Sequence, residues 1–266
     1  MANSMTYEKL LKKEKINGFS IKISKKLNHS IWLKLLVYIP IFIILFIVMT
    51  LYQPIAELGG NLFEPVSLKT FLDDLTTPEI YTFLPYLFVL LFVPFAGIFY
   101  AFNRRISVVQ VISFYLAIIC MWLIALAIYI VFPTTASEVM ITLYDEYAAY
   151  YLIHEGAFQT LQGLYGASTP LGDFPSLHVA PLMLMGIFLR KHWKTLFWIF
   201  LPIAFIGATG TYLLKFHTVI GFLGGVALGY FGYYVLYEKV VHKYLSKFFI
   251  EKESLSQRAR TKKKEG

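Results

Sequence analysis

Two histidines separated by 39 residues are the side chains of this sequence best placed to do chemistry together. His178 follows Phe174-Pro175-Ser176-Leu177 at the start of one apolar run, and His217 follows Lys215-Phe216 at the start of another. A stretch of that length descends one membrane-crossing helix, turns and climbs a second, returning to the face it left. Both imidazoles therefore belong to one membrane face. Two histidines so paired divide a phosphoryl transfer: one attacks phosphorus as nucleophile, the other protonates the departing alkoxide. That chemistry calls for no metal and no cofactor. Ser176 adds a hydroxyl beside His178, and Lys215 is the cation nearest His217. Helix starts also offer free backbone N–H groups and the positive end of a dipole to an anion. Taken singly, each histidine is more often an interfacial residue than a catalyst, and Lys215 equally suits a lysine that snorkels to the headgroups.

The elements that must hold these residues are membrane helices. With 58% hydrophobic, 18% aromatic and 15% charged residues, the chain has more apolar surface than a water-soluble domain can bury. Runs of the length a bilayer requires fall at about 31–52, 81–102, 107–132, 176–190, 194–214 and 217–237. The expected fold is an all-α integral membrane bundle of six transmembrane helices, with an extracytoplasmic loop or helix between spans three and four. Small-residue spacing at Gly221, Gly225 and Gly229 puts a stripe along span six that lets another helix approach closely. The first run lacks a small-residue cleavage site and reads as an uncleaved anchor, with Lys34 snorkelling to the inner interface.

Charge gives the orientation, because Lys and Arg near span ends are kept on the cytoplasmic side. Seven lysines from Lys9 to Lys26 precede span one, Arg104 and Arg105 separate spans two and three, and Arg190, Lys191 and Lys194 separate four and five. The opposite side holds only Lys69 and Lys215. A multi-pass protein of the cell membrane with both termini cytoplasmic follows. Its organisation is a basic N-terminal segment (1–30), a membrane domain (31–241) and a basic, disordered tail (242–266). The formal charge of +8 resides in tails and cytoplasmic loops, where it attracts anionic lipid rather than nucleic acid. Within the outer segment 133–174, the aromatic stretch from Tyr144 to Leu164 reads as an interfacial helix. Cys120 is the single cysteine and suits packing, and the oligomeric state is left open.

Two motifs carry a family resemblance. Phe174-Pro175-Ser176-Leu177-His178-Val179-Ala180 is similar to the Pro-Ser-x-His motif of the type 2 phosphatidic acid phosphatase superfamily, in its inositol phosphorylceramide synthase-like branch. Thr209 to His217, followed by Gly224-Gly225, resembles that branch's second histidine motif. The resemblance covers about 130–237. It implies a phosphohistidine formed on His217, His178 as the acid, and a phosphorylated lipid bound with help from Ser176 and Lys215. Three positions depart from the pattern. Gly221 stands where the family has an aspartate that orients the nucleophile, Thr211 stands nearest its arginine, and Pro133 is followed by Thr134-Thr135 rather than preceded by an arginine.

Another acid then has to orient His217, and Asp173, five residues before His178, is the candidate, although it is more simply the N-terminal cap of span four. With no such acid, an aspartate restored at position 221 is expected to raise turnover, while crowding the glycine stripe. The resulting reading is a lipid phosphatase or phosphotransferase. A non-catalytic protein that binds lipid headgroups or scaffolds helices is the alternative, and a transporter fits less well because the spans carry few ionisable residues.

Overall fold

The computed structural model describes residues 30–75, 106–138 and 170–248, with 92–93, 96, 98–100 and 102–103 between them. Most of the second expected span, the aromatic stretch 144–164, the basic segment before residue 30 and the tail beyond 248 lie outside the described residues.

The described chain is mostly helical. Helix α1 (Ile31–Thr50) runs on through Leu51 into α2 (Tyr52–Leu62). A short strand β1 (Val66–Ser67) and a single helical turn α3 (Phe71–Leu75) follow. Helix α4 (Val108–Val131) opens with a capping box, in which Ser107 Oγ accepts from the Gln110 amide N–H and Gln110 Oε1 accepts from the Ser107 N–H. Strand β2 (Thr134–Thr135) lies after it, and α5 (Val179–His192), α6 (Lys194–Leu213) and α7 (Val219–Phe231) complete the set. From Gly232 to Val241 the last helix widens into a π-helix before resuming its α-helical course to Phe248.

Four of these helices, Ile31–Leu62, Val108–Val131, Lys194–Leu213 and Val219–Phe248, are long and apolar enough to cross a membrane. Helix α5 has only 14 residues, about 21 Å at 1.5 Å per residue, because Ser176 to His178 form a turn instead of its first coil. Helix α4 is the axis of the bundle. Its Val111, Phe114, Tyr115, Ala117, Ile118, Met121 and Ala125 have no exposed surface, and α1, α2 and the π-helical segment all pack on it. Helix α6 turns Trp198 and Phe205 outward, as a lipid-facing helix does.

The glycine stripe seats α7 against α5. A Cβ at Gly225 would lie 2.8 Å from the Ser176 carbonyl oxygen, and one at Gly229 would lie 2.6 Å from Met183 Cβ and overlap the Ala180 carbonyl oxygen. At one end of the bundle β1 and β2 pair in parallel, Val66 opposite Thr134 and Ser67 opposite Thr135, and Thr135 also bridges Leu171. That end gathers residues 63–75, the β2 region, the lead-in to α5 and the turn before α7. At the other end Lys34 does not snorkel outward. It is fully buried, and its ammonium donates to the carbonyl oxygens of Asn103 (2.7 Å) and Tyr100 (3.5 Å), which replace the water it would otherwise need.

Candidate active site

Two segments meet at the β-strand end of the bundle. The first, Leu171 to Ser176, has no periodicity of its own and is held by its neighbours. Tyr52 on α2 donates to the Leu171 carbonyl (2.8 Å), Gly172 N–H to the Thr134 carbonyl (2.8 Å), Phe174 N–H to Thr134 Oγ1 (2.8 Å), and Tyr129 on α4 to the Pro175 carbonyl (2.6 Å). Gly172 has φ +80°, a left-handed conformation open to glycine, and a Cβ there would press on the Tyr52 and Tyr129 rings at 3.1 and 3.2 Å. The second segment is the turn from Leu214 to Thr218. Lys215 takes φ +59°, and the N–H groups of Phe216 and His217 return to the Thr211 carbonyl (3.0 and 3.3 Å). Thr218 then caps α7, its hydroxyl accepting from the Gly221 N–H at 3.1 Å.

The histidines predicted to share a face touch. His178 Nδ1 lies 3.0 Å from His217 Nε2, and the ring centroids are 5.2 Å apart. On its other edge His217 Nδ1 faces the Asp173 carbonyl oxygen at 3.0 Å and Asp173 Oδ1 at 3.2 Å. Asp173 Oδ1 also accepts from the Thr218 N–H (2.9 Å), and Oδ2 accepts from the Thr218 hydroxyl. Only 1% of Asp173 and 3% of His217 is exposed. This network assigns the protons. A carbonyl and a carboxylate only accept, so Nδ1 of His217 carries the hydrogen and its Nε2 keeps the lone pair, to which His178 donates through Nδ1–H.

Asp173 reaches His217 because position 221 has no side chain. A Cβ at Gly221 would lie 2.5 Å from the Asp173 carbonyl oxygen and 2.8 Å from its Cγ, and would overlap Oδ1. The carboxylate thus fills the space above the glycine. This corrects the expectation that Asp173 caps span four. The first N–H of α5, that of Val179, faces Ser176 Oγ at 3.3 Å, while Asp173 caps α7. Ser176 is fully buried, its backbone N–H donating to the Gly221 carbonyl at 3.0 Å.

Lys215 is drawn elsewhere. Its ammonium donates to the Asp73 carbonyl and sits 5.7 Å from the centre of the Tyr212 ring, whose hydroxyl donates to the Leu72 carbonyl (2.8 Å). Asp73 itself was not singled out from the sequence. Its carboxylate accepts from the Thr70 N–H (2.7 Å), the Thr70 hydroxyl (2.8 Å) and, across 146 positions, the Val219 N–H (2.9 Å). The pattern Thr70-x-x-Asp73 ahead of a helical turn is the local signal that marks it. At the start of α7 the Thr218 and Val219 N–H groups are therefore already held by Asp173 and Asp73. Lys69, the other cation at this end, pairs with Asp74 at 2.7 Å, whose carboxylate raises its pKa above the ordinary lysine value.

A family model described as the PAP2 superfamily matches residues 62–235, more than half of the chain. The chain belongs to the PAP2 superfamily. Asp73, Asp173, Ser176, His178, Lys215, His217 and Gly221 all fall within the matched stretch. No curated protein and no solved structure matches the sequence. PAP2 membership indicates phosphatase-like activity on a phosphorylated lipid, and the apolar helices make this PAP2 chain a membrane protein. In chemical terms its site offers a buried imidazole lone pair with a proton donor 3.0 Å away and a carboxylate behind it.

Proposed function

We propose that this PAP2 chain is a six-span lipid phosphatase or phosphotransferase of the inositol phosphorylceramide synthase-like branch. It works through a phosphohistidine at the extracytoplasmic leaflet, with both termini in the cytoplasm. One observation carries the reading: His217 is bracketed, with Asp173 on Nδ1 and His178 on Nε2. In the first half-reaction His217 Nε2 bonds to phosphorus as the bond from phosphorus to the lipid alkoxide breaks, and His178 gives that oxygen its proton. Asp173 holds the ring and offsets the positive charge that forms on it. In the second half-reaction His178, now basic, takes a proton from water or an acceptor hydroxyl, whose oxygen displaces His217 from phosphorus. Water as acceptor gives a phosphatase, and a lipid or polyol hydroxyl gives a transferase. Phosphorus needs the place that the His178 N–H fills in the closed pair, so the substrate has to part the two rings.

Phosphate release from purified protein in detergent, assayed on phosphatidic acid and other phospholipids against His217→Ala, tests this. Turnover above that blank, with an acid-labile phosphoryl group on the wild-type protein alone, is the expected result. Activity equal to the blank on every lipid sinks it.

The second reading, a non-catalytic protein that binds lipid headgroups or scaffolds helices, is favoured by the disposition of charge. Lys69 and Lys215 both have partners within the protein, and two carboxylates rather than a free anion site fill the start of α7. On the leading reading, Ser176 and Lys215 contribute to phosphate binding only when substrate draws them from their present partners.

A further inference from the structure

The opposite end of the bundle holds a second group of buried polar side chains, which phosphoryl transfer does not use. His192 ends α5, Gln110 and Ser113 lie in the first two turns of α4, Tyr237 lies in the π-helical segment and His242 follows it. Hydrogen bonds assign their protons. Gln110 Oε1 accepts from the Ser107 N–H (2.8 Å), so the Gln110 amide nitrogen faces His192 Nδ1 (3.3 Å) as donor, and the hydrogen of neutral His192 lies on Nε2. Ser113 commits its hydroxyl hydrogen to the Val109 carbonyl (2.6 Å), so it accepts from His242 Nδ1 (3.2 Å).

Three polar atoms at this end, those of His192 and Tyr237 and of Tyr100 from the residues before α4, are buried and have no hydrogen-bond partner among the described residues: His192 Nε2, Tyr100 Oη and Tyr237 Oη. Tyr100 is fully buried and Tyr237 is 2% exposed. The three rings pack around one side chain, Phe188, with centroids 4.6 Å (His192), 5.1 Å (Tyr100) and 5.5 Å (Tyr237) from its ring. Tyr237 also lies 6.4 Å from His192 and stacks on His242 at 5.4 Å. A buried donor or hydroxyl left unpaired is unfavourable, and where protein supplies no partner an ordered water does. Here the three rings that carry such atoms pack on one phenylalanine. The atoms comprise one N–H that only donates and two hydroxyls that donate or accept, a set that water satisfies. Two cations at this end already have partners, Lys191 in Glu238 and Lys34 in the Asn103 and Tyr100 carbonyls. The helix is π-helical at this level, and such widened turns recur at sites with a bound or functional group.

We infer that His192, Tyr100 and Tyr237 form a hydration site in which internal water joins spans two, four and six at the end remote from the histidine pair. Bound water accepts from His192 Nε2–H and exchanges hydrogen bonds with the two hydroxyls. The inference stands whether or not the histidine pair turns over.

Its test compares thermal unfolding of the full chain in lipid nanodiscs with that of Tyr100→Phe, Tyr237→Phe and the double variant. Around bound water each single substitution removes a hydrogen bond and lowers Tm, and the double variant falls by an amount different from the sum, because the two hydroxyls share the water. In a dry site each substitution removes an unsatisfied hydroxyl, so Tm holds or rises and the effects add. Radiolytic hydroxyl labelling gives an independent readout: a ring held against internal water is marked despite burial. Labelling of Tyr237 in wild type, reduced in Tyr100→Phe, is expected. A Tm that holds or rises in both single variants, or an unlabelled Tyr237, overturns the site.

Discussion

Gly221→Asp is the substitution on which the sequence and the geometry disagree in sign. By spacing alone the new carboxylate would sit one turn beyond His217 and raise turnover. The space, however, is taken. The added Cβ would come within 2.5 Å of the Asp173 carbonyl oxygen and 2.8 Å of its Cγ, and would overlap Oδ1. Backbone as well as side chain has to move, because the Leu171–Ser176 segment is tied to α2, β2 and α4 and cannot yield locally. Overpacking of this kind costs about 1–3 kcal/mol. For a chain of this size about 2–4 °C of Tm accompanies each kcal/mol, so a fall of roughly 2–12 °C is expected. The site suffers more than the fold. Both partners of His217 Nδ1 come from Asp173, and both shift when the segment is displaced. The incoming aspartate replaces at most one of them and brings a second negative charge beside the first. In a serine protease, compromising the carboxylate behind the histidine costs about 10⁴ in turnover, which bounds the loss from above. Turnover is expected to drop by between about tenfold and that limit. Phosphate release and differential scanning on the same detergent preparation measure both effects. If Gly221→Asp turns over as fast as wild type or faster at an unchanged Tm, the argument that Asp173 occupies this space fails.

Asp173→Asn leaves the backbone carbonyl on His217 Nδ1 but removes the charge and exchanges one of the two carboxylate oxygens that accept from Thr218 and His217 for an amide nitrogen that only donates. A hydrogen bond to a charged group contributes about 1.5–3 kcal/mol, so kcat should fall roughly 10- to 150-fold with little change in KM, as steady-state kinetics will read. For His178→Ala, an aryl phosphate whose leaving group needs no proton should still phosphorylate His217, whereas an alkyl phosphate should not; equal loss on both substrates would deny His178 the role of acid. Gly229→Ala pushes a methyl into the Ala180 carbonyl and Met183 and is expected to cost about 1–3 kcal/mol of stability, seen as a lower Tm without any change of residue in the histidine pair. A single cysteine introduced at position 160 should react with an impermeant reagent from outside the cell; labelling from the cytoplasmic side alone would invert the topology.

What was legible in the sequence follows regular geometry. The pairing of His178 with His217 rests on helix lengths, and the close approach of α5 and α7 on glycines four apart; both are consequences of period and rise. The acid behind His217 was legible only as one of two roles for Asp173, because the Leu171–Ser176 segment has no periodicity and its path is dictated by Tyr52, Tyr129 and Thr134, residues far away in sequence. The present partner of Lys215 was not legible, since sequence records its charge and not the turn at φ +59° that goes with its contact to the Asp73 carbonyl. Asp73 was missed for the same reason: the bond to Val219 closes a loop of 146 positions. Span four begins three residues later than its apolar run, where the turn at Ser176 ends.

The proposed nucleophile and the group proposed to orient it belong to different parts of the chain, His217 to the turn before the last helix and Asp173 to the irregular segment before α5. Neither half is competent alone. During insertion the histidine of a partly assembled chain has no carboxylate behind its ring and no neighbouring imidazole, so it is an ordinary side chain among lipid phosphates. On the proposed mechanism the pair is assembled only once α7 has docked its glycine face on α5. Any activity the protein has therefore doubles as a readout of complete assembly.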